Sequence, residues 1–195
     1  MDVINLLVGI NLFVTLTANL SGAKKGLKST LSEVIERPKT HLQKSPLNAS
    51  ALVLILEIVG VFQLGTYNIE SDNQFFTIRV MGLLVFFIFS WLQVWSYKTL
   101  GTNYSQEIIV SKKQSIVKTG PYKFVRHPQY ISQLLSDLGA GVALLSYLVV
   151  PVTLFVLFPL FLMRAVYEEK LLIKHYGGEF EEYKKRTGFI IPFIG

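Results

Sequence analysis

The stretch 138–163, "LGAGVALLSYLVVPVTLFVLFPLFLM", holds 26 residues without a single charge and has basic sequence on both sides. A helix needs ~20 mostly apolar residues to cross the hydrocarbon core of a bilayer. One straight helix here would leave Arg126 and Arg186 on opposite membrane faces. The other charges argue against that. All but one of the 19 Lys and Arg residues fall in three segments, 24–44, 98–126 and 164–186, and the exception is Arg79. Basic loops stay on the cytoplasmic side, so the second and third segments require an even number of crossings between them. Extended back to Gln129, the stretch reaches about 35 residues, room for two short helices joined by a tight hairpin. Ser146-Tyr147 is the expected turn. Pro151 then falls in the first turn of the returning helix, where proline is tolerated. Pro159 is expected to kink that helix, with neighbouring groups satisfying the freed carbonyl.

Working outward, residues 3–20 carry no charge, 51–69 carry only Glu57, and 80–97 carry none. The first run lacks the basic flank and small-residue cleavage site of a signal peptide and reads as a retained span. The expectation is an all-α integral membrane protein forming one domain, 1–195. Its five transmembrane helices lie at about 3–20, 51–69, 78–97, 129–145 and 147–165, with a tight hairpin between helices 4 and 5. The N-terminus is expected outside, and the C-terminal helices in the cytoplasm. Hydrophobic residues make up 51% of the chain against 16% charged, with a mean hydropathy of +0.44, which fits that class. The absence of cysteine excludes disulfides, thiolate zinc sites and cysteine nucleophiles, and no metal site is expected. A net charge of +6 suits a nucleic-acid binder, but base confined to alternate loops signals membrane orientation instead. Within the first basic loop, Leu27, Leu31, Val34 and Ile35 follow helical spacing up to Pro38. This reads as an amphipathic helix, lying on the inner leaflet or packed on the rest of the protein.

Two clusters carry the candidate chemistry. Arg126 and His127 precede Pro128 at a helix entrance. Helix N-termini favour anions, so Arg126 and the free N–H groups suit a carboxylate; a snorkelling interfacial anchor is the plainer alternative. After the last span, Arg164 and Glu168 share a helix face at i,i+4. Glu168 and Glu169 stand where a basic anchor is usual, which suggests a cationic partner, or else a solvated helix with internal ion pairs. Gly177-Gly178 then break this helix before another short amphipathic one. Glu57 and Asp137 are the ionisable residues deep in the expected spans, positions that usually face a bundle interior. Gly139-Ala-Gly141 reads as close helix packing.

Residues 115–130, "SIVKTGPYKFVRHPQY", resemble the Gly-x-Tyr, three residues, Arg-His-Pro-x-Tyr signature of the isoprenylcysteine carboxyl methyltransferase and phospholipid methyltransferase superfamily. Residues 164–187, "RAVYEEKLLIKHYGGEFEEYKKRT", resemble its second conserved segment. At 195 residues the chain looks like a minimal, prokaryotic-sized member. The resemblance implies S-adenosylmethionine as methyl donor, bound at the cytoplasmic end within about 110–190. It implies that Val117, Lys118, Tyr122, His127, Tyr130, Glu168 and Glu169 contact that cofactor. Arg126 and Arg164 match arginines on the substrate side, and with Glu168 they are the expected catalytic residues. A lipophilic acceptor would enter from the bilayer lipid, with no nucleic acid involved.

An acceptor carboxylate of the isoprenylcysteine type is already ionised. It needs an arginine to orient it and desolvation to free its nucleophilicity. An amine or thiol acceptor, as in phospholipid or small-molecule N- or S-methyltransferases, needs a base, for which His127 or Glu168 are candidates. A membrane reductase of the sterol-reductase type, using NADPH, and a non-catalytic scaffold are the rival readings.

Overall fold

The computed structural model describes residues 2–30, 34–67, 75–112, 114–192 and 194, with residues 21–30 as helical backbone alone. Helix α1 spans Val3–Thr30, followed by strand β1, Val34–Glu36. Next come α2, Ser45–Val61, and α3, Phe76–Leu100, then strand β2, Val110–Ser111. The hairpin region holds α4, Pro128–Ala143, a short α5, Val149–Val152, and α6, Phe158–Tyr176; α7 is Gly178–Arg186. Among the described residues, four helical stretches are long and apolar enough to cross a membrane: Val3–Leu20, His41–Val61, Phe76–Asn103 and Val149–Tyr176.

Several boundaries differ from the sequence expectation. The second helix begins at Ser45 rather than near 51 and ends at Val61 rather than 69. Pro46 starts it, because its fixed φ suits a first turn and its missing N–H would have no partner there. Positive φ at Gln63 and Gly65 turns the chain out of it. The last apolar helix continues past the expected span end near 165 to Tyr176, so Arg164, Glu168 and Glu169 lie on one continuous helix, as their spacing implied. Gly177, at φ 51°, ends it where the sequence placed the break. The expectation of a purely α-helical chain is corrected by an antiparallel ribbon in which Val34 pairs with Ser111 and Glu36 with Val110. Val34 and Ile35 therefore lie on a strand, as suits β-branched residues, and not on the amphipathic helix proposed for them. The remainder of that proposed face, Leu27 and Leu31, lies outside the side chains described.

The tightest packing joins α3 to α4. A Cβ on Gly139 would sit 2.6 Å from the Phe86 backbone nitrogen and 2.8 Å from the Gly82 carbonyl oxygen. One on Gly82 would meet the Ala143 nitrogen at 2.7 Å. Two glycines on facing helices let the backbones touch, as small residues do inside membranes. Gly141 does the same for the return: its Cβ would meet Val150 and Val149 at 2.8 and 2.9 Å. At the other end of α4, Tyr130 stacks on Phe161 with ring centroids 4.8 Å apart. Helices α4 and α5–α6 thus run antiparallel, and the start of α4 faces the middle of α6.

Ser146 forms the turn between them, its Oγ accepting from Val149 N at 3.2 Å. The discontinuity expected at Pro159 takes the form of a π-helical turn, Thr153–Leu157, in which Phe158 N–H reaches back to Thr153 O. Arg79, the outlier of the charge pattern, is buried. Its Nε donates to Ala143 O at 2.8 Å, and one Nη reaches Asp2 at 2.7 Å and Asn5 at 2.8 Å. A cation on the last carbonyls of α4 also suits the helix dipole.

Because Gly139 has backbone on its open side, Gly139→Ala should destabilise the protein by about 1–3 kcal/mol. Gly178→Ala, at a position with nothing within 4 Å, should stay within about 0.5 kcal/mol of the parent. Unfolding of both variants in detergent would show the contrast.

Candidate active site

The chain reaches α4 through a tight turn, Gly120–Lys123, entered by Gly120 at φ 56°. The following residues pair with the segment after α7. Arg126 N donates to Gly188 O at 2.8 Å, Gly188 N to Phe124 O at 3.1 Å, and His127 N to Phe189 O at 3.3 Å. The two sequence clusters, 43 residues apart at Arg126 and Glu169, are thereby brought together.

Their buried junction is the Glu169 carboxylate. Arg126 Nε reaches it at 2.5 Å, Lys184 Nζ at 2.9 Å and His127 Nε2 at 3.3 Å. Arg126 Nη1 also donates to the carbonyls of Lys184, at 3.2 Å, and of Thr187. The Phe189 ring lies 5.7 Å from the Arg126 guanidinium and meets the His127 ring edge-on at 5.1 Å. Rings continue the stack inward, with His127 parallel to Tyr130 at 5.5 Å and Tyr130 on Phe161.

Glu168 points elsewhere. It accepts from Tyr130 Oη at 2.7 Å and from Arg164 Nε at 2.9 Å. Arg164 also donates to Gln106 O at 2.7 Å. The Arg164 side chain is 5% exposed and that of Glu168 22%, so the guanidinium is enclosed while the carboxylate opens outward. Both line a cavity of about 390 Å³, together with Tyr122, Arg126, His127 and Tyr130. Of the residues expected at the site, these six share one cavity wall. Glu169 sits behind that wall. Val117 is half-buried and Lys118 pairs with Glu179 at 2.8 Å on the surface; neither faces the cavity.

Sequence reasoning missed the opposite wall. Tyr97 and Tyr104, in edge contact at 4.6 Å, and the pair Gln93–Gln133, bonded at 3.2 Å, line the same cavity. The signal was present as polar residues at helical spacing inside apolar runs: Ser90, Gln93 and Tyr97 on α3, and Gln129, Gln133 and Ser136 on α4. Burial pushes the Tyr122 and Tyr104 phenols up from their ordinary range and Tyr183 up to about 12. Tyr122 and Tyr104 are thus held as hydrogen-bond donors rather than bases. Tyr183 uses its proton on Tyr122 O at 2.6 Å, which ties α7 to the turn before α4.

Removing the charge at the junction should be severe. Glu169→Gln leaves Arg126 buried without its counter-ion and should lose about 3–5 kcal/mol. Hydrogen exchange should quicken first at the amides of Arg126, His127 and Gly188, which carry the pairing between the two segments.

The sequence profile described as phospholipid methyltransferase matches residues 77–179, a stretch containing Arg126, His127, Arg164 and both glutamates of the cluster. The protein-S-isoprenylcysteine O-methyltransferase of Saccharomyces cerevisiae is 36% identical over 118 residues, 59% of this chain and 49% of that protein. The protein of the same name from Tribolium castaneum is 25% identical over 135 residues, 68% of this chain and 48% of that one. The chain spans about half the length of these curated relatives. A solved structure of the eukaryotic intramembrane Ras methyltransferase, an isoprenylcysteine carboxyl methyltransferase, superposes with a TM-score of 0.57 at 21% identity. It covers 77% of this chain and 54% of its own, a likeness of fold. With more than half its length inside the family profile and its apolar helices arranged as in that structure, the chain is an integral membrane member of the phospholipid methyltransferase family, within the superfamily that holds the isoprenylcysteine carboxyl methyltransferases.

Proposed function

We propose that the protein transfers a methyl group from S-adenosylmethionine to the carboxylate of a lipophilic acceptor of the isoprenylcysteine type. The observation that carries this reading is the arrangement of Arg164, Glu168 and Tyr130 at the head of a cavity that also presents leucine side chains from α1 and α2. The residues present fit the proposed donor. It is cationic at sulfur and at its amino group, and Glu168 offers a partly open carboxylate to positive charge. Its purine is flat, and Tyr122, His127 and Tyr130 offer aromatic surface. When bound, S-adenosylmethionine supplies an electrophilic methyl carried on a sulfonium.

The chain's own residues do the rest. Arg164, fixed by Glu168 and the Gln106 carbonyl, presents its remaining N–H groups to orient an acceptor carboxylate. Enclosure among apolar side chains strips water from that carboxylate, and positioning supplies much of the acceleration. At the cavity head, His127 already holds Glu169, and Glu168 holds Arg164 and Tyr130. An amine or thiol acceptor would have to displace one of them to lose its proton, so an acceptor that is already ionised fits better. Arg126, with its guanidinium committed to Glu169 and two carbonyls, acts by holding His127 and Tyr130 in place. Glu169, Val117 and Lys118 support the wall from outside it. Leu12 and Leu16 of α1 and Leu47 and Leu54 of α2 line the far side, which suits a tail arriving from the lipid.

The same reading makes residues 1–195 one domain of five spans. Helix α4 serves as a short crossing of about 24 Å paired with α5–α6, the N-terminus lies outside, and the cavity head and C-terminus face the cytoplasm, following the basic segments. A cysteine-free chain makes this simple to test. Single cysteines at Ser115→Cys and Glu182→Cys should be labelled by an impermeant maleimide from the same side; opposite sides would refute the crossing of α4.

For the chemistry, purified protein should bind S-adenosylhomocysteine at micromolar concentration and methylate N-acetyl-S-farnesylcysteine. Arg164→Ala and Glu168→Ala should each lower kcat/KM by about 100-fold while the protein stays folded. Near-normal turnover in both would sink the site assignment, and NADPH binding in place of the nucleoside would turn the reading to a reductase.

A further inference from the structure

Below the polar head, the cavity does not become purely apolar. Helix α4 sends a file of polar side chains down its wall: Tyr130, Gln133, Ser136 and Asp137. At the deep end Asp137 meets Glu57 of α2. The two helices run parallel here, with Ala49 packed near Tyr130 and Leu134, and Gly60 against Leu144. Asp137 lies seven residues beyond Tyr130, about 10 Å along the helix. Both carboxyl side chains are nine-tenths buried or more, with Glu57 2% and Asp137 8% exposed. Gln133 reaches Asp137, yet Glu57 Oε1 and Asp137 Oδ2 are buried without a hydrogen-bond partner, and both residues line the cavity.

Two such acceptors facing one cavity are a poor floor for a plain hydrocarbon chain. Methylene groups packed there would strip the carboxyl oxygens of water and return no hydrogen bond. A donor placed between them satisfies both. Membrane-embedded carboxyl groups that face a cavity usually serve a bound ligand or a pairing, and the pairing here leaves one oxygen on each side unused.

We propose that the cavity selects an acceptor with a second polar group, a hydroxyl or amine that donates hydrogen bonds to Glu57 and Asp137 about 10 Å along the chain from the methylated end. The methylated end rests on the methyl-transfer reading above; the preference for a donor at the floor does not.

The test compares N-acetyl-S-hexylcysteine with its ω-hydroxy and ω-amino counterparts. Binding to the detergent-purified protein is measured by calorimetry, with and without S-adenosylhomocysteine. At least one donor-bearing chain should bind about tenfold more tightly than the plain chain, the size expected for one added hydrogen bond in a buried site. In the Glu57→Gln, Asp137→Asn double variant that preference should vanish while S-adenosylhomocysteine binds as before. If the double variant loses that nucleoside binding, Glu57→Gln alone carries the comparison and should shrink the preference. Equal binding of all three chains by the parent protein, or a preference that survives the substitutions, overturns the proposal. Failure of S-adenosylhomocysteine to bind at all would overturn the methyl-transfer reading instead, and the binding series without nucleoside still decides the floor.

Discussion

The Glu169 carboxylate is buried among Arg126, Lys184 and His127, and the geometry of the cavity head follows from that cluster. Burying an ion pair is expensive unless further hydrogen bonds complete it. Here they do: Arg126 Nη1 donates to the carbonyls of Lys184 and Thr187. The cluster therefore fastens three parts of the chain at once, the entrance to α4, the middle of α6 and the end of α7. With His127 fixed, the parallel ring of Tyr130 is fixed, and with it the phenol that donates to Glu168. Low dielectric strengthens such a completed network and makes a broken one costly.

Glu168 and Glu169 are successive residues of one helix and do different work. Neighbouring positions on an α-helix point about 100° apart. One therefore enters the buried cluster while the other opens into the cavity. A pair of adjacent acids just past an apolar run reads in sequence as two groups facing one cation. Only the packing of α4 and α7 against α6 separates the buried carboxylate from the one that faces the cavity. Arg126 and Arg164 divide in the same manner: the first is bound to a buried carboxylate and two carbonyls, and the second is held by Glu168 and a single carbonyl beside the cavity.

Much of the architecture was legible because membrane proteins expose their logic in charge and hydropathy. The break after Tyr176, the turn at Ser146 and the close packing at Gly139 and Gly141 all follow from local chemistry that needs no partner to interpret. The start of α2 was missed because Ser45, Asn48, Ala49 and Ser50 before the apolar run hide a helix that Pro46 initiates. The β1–β2 ribbon was missed because its strands are short and separated by more than seventy residues, so neither shows alternation long enough to read. The far wall of the cavity was missed for a different reason. Ser90, Gln93 and Tyr97 are scattered through a run of apolar residues, and only their shared helical spacing marks them as one inward face.

That inward turn is the feature binding fold to chemistry. A soluble protein hides its apolar groups, whereas this one exposes them, with Phe13 73% and Phe155 77% open to the surroundings, and gathers polar groups at its centre. Asn11 bonds Ser90 across α1 and α3 at 2.9 Å, and Gln93 bonds Gln133 across α3 and α4. Each such pair is satisfied within the protein, as the absence of water in a bilayer demands. Asp137 and Glu57 depart from that rule where the cavity is deepest. Asn19 Oδ1 and Thr153 Oγ1 are also buried without a partner, but the two carboxyl groups face each other across one cavity, where a single donor can serve both.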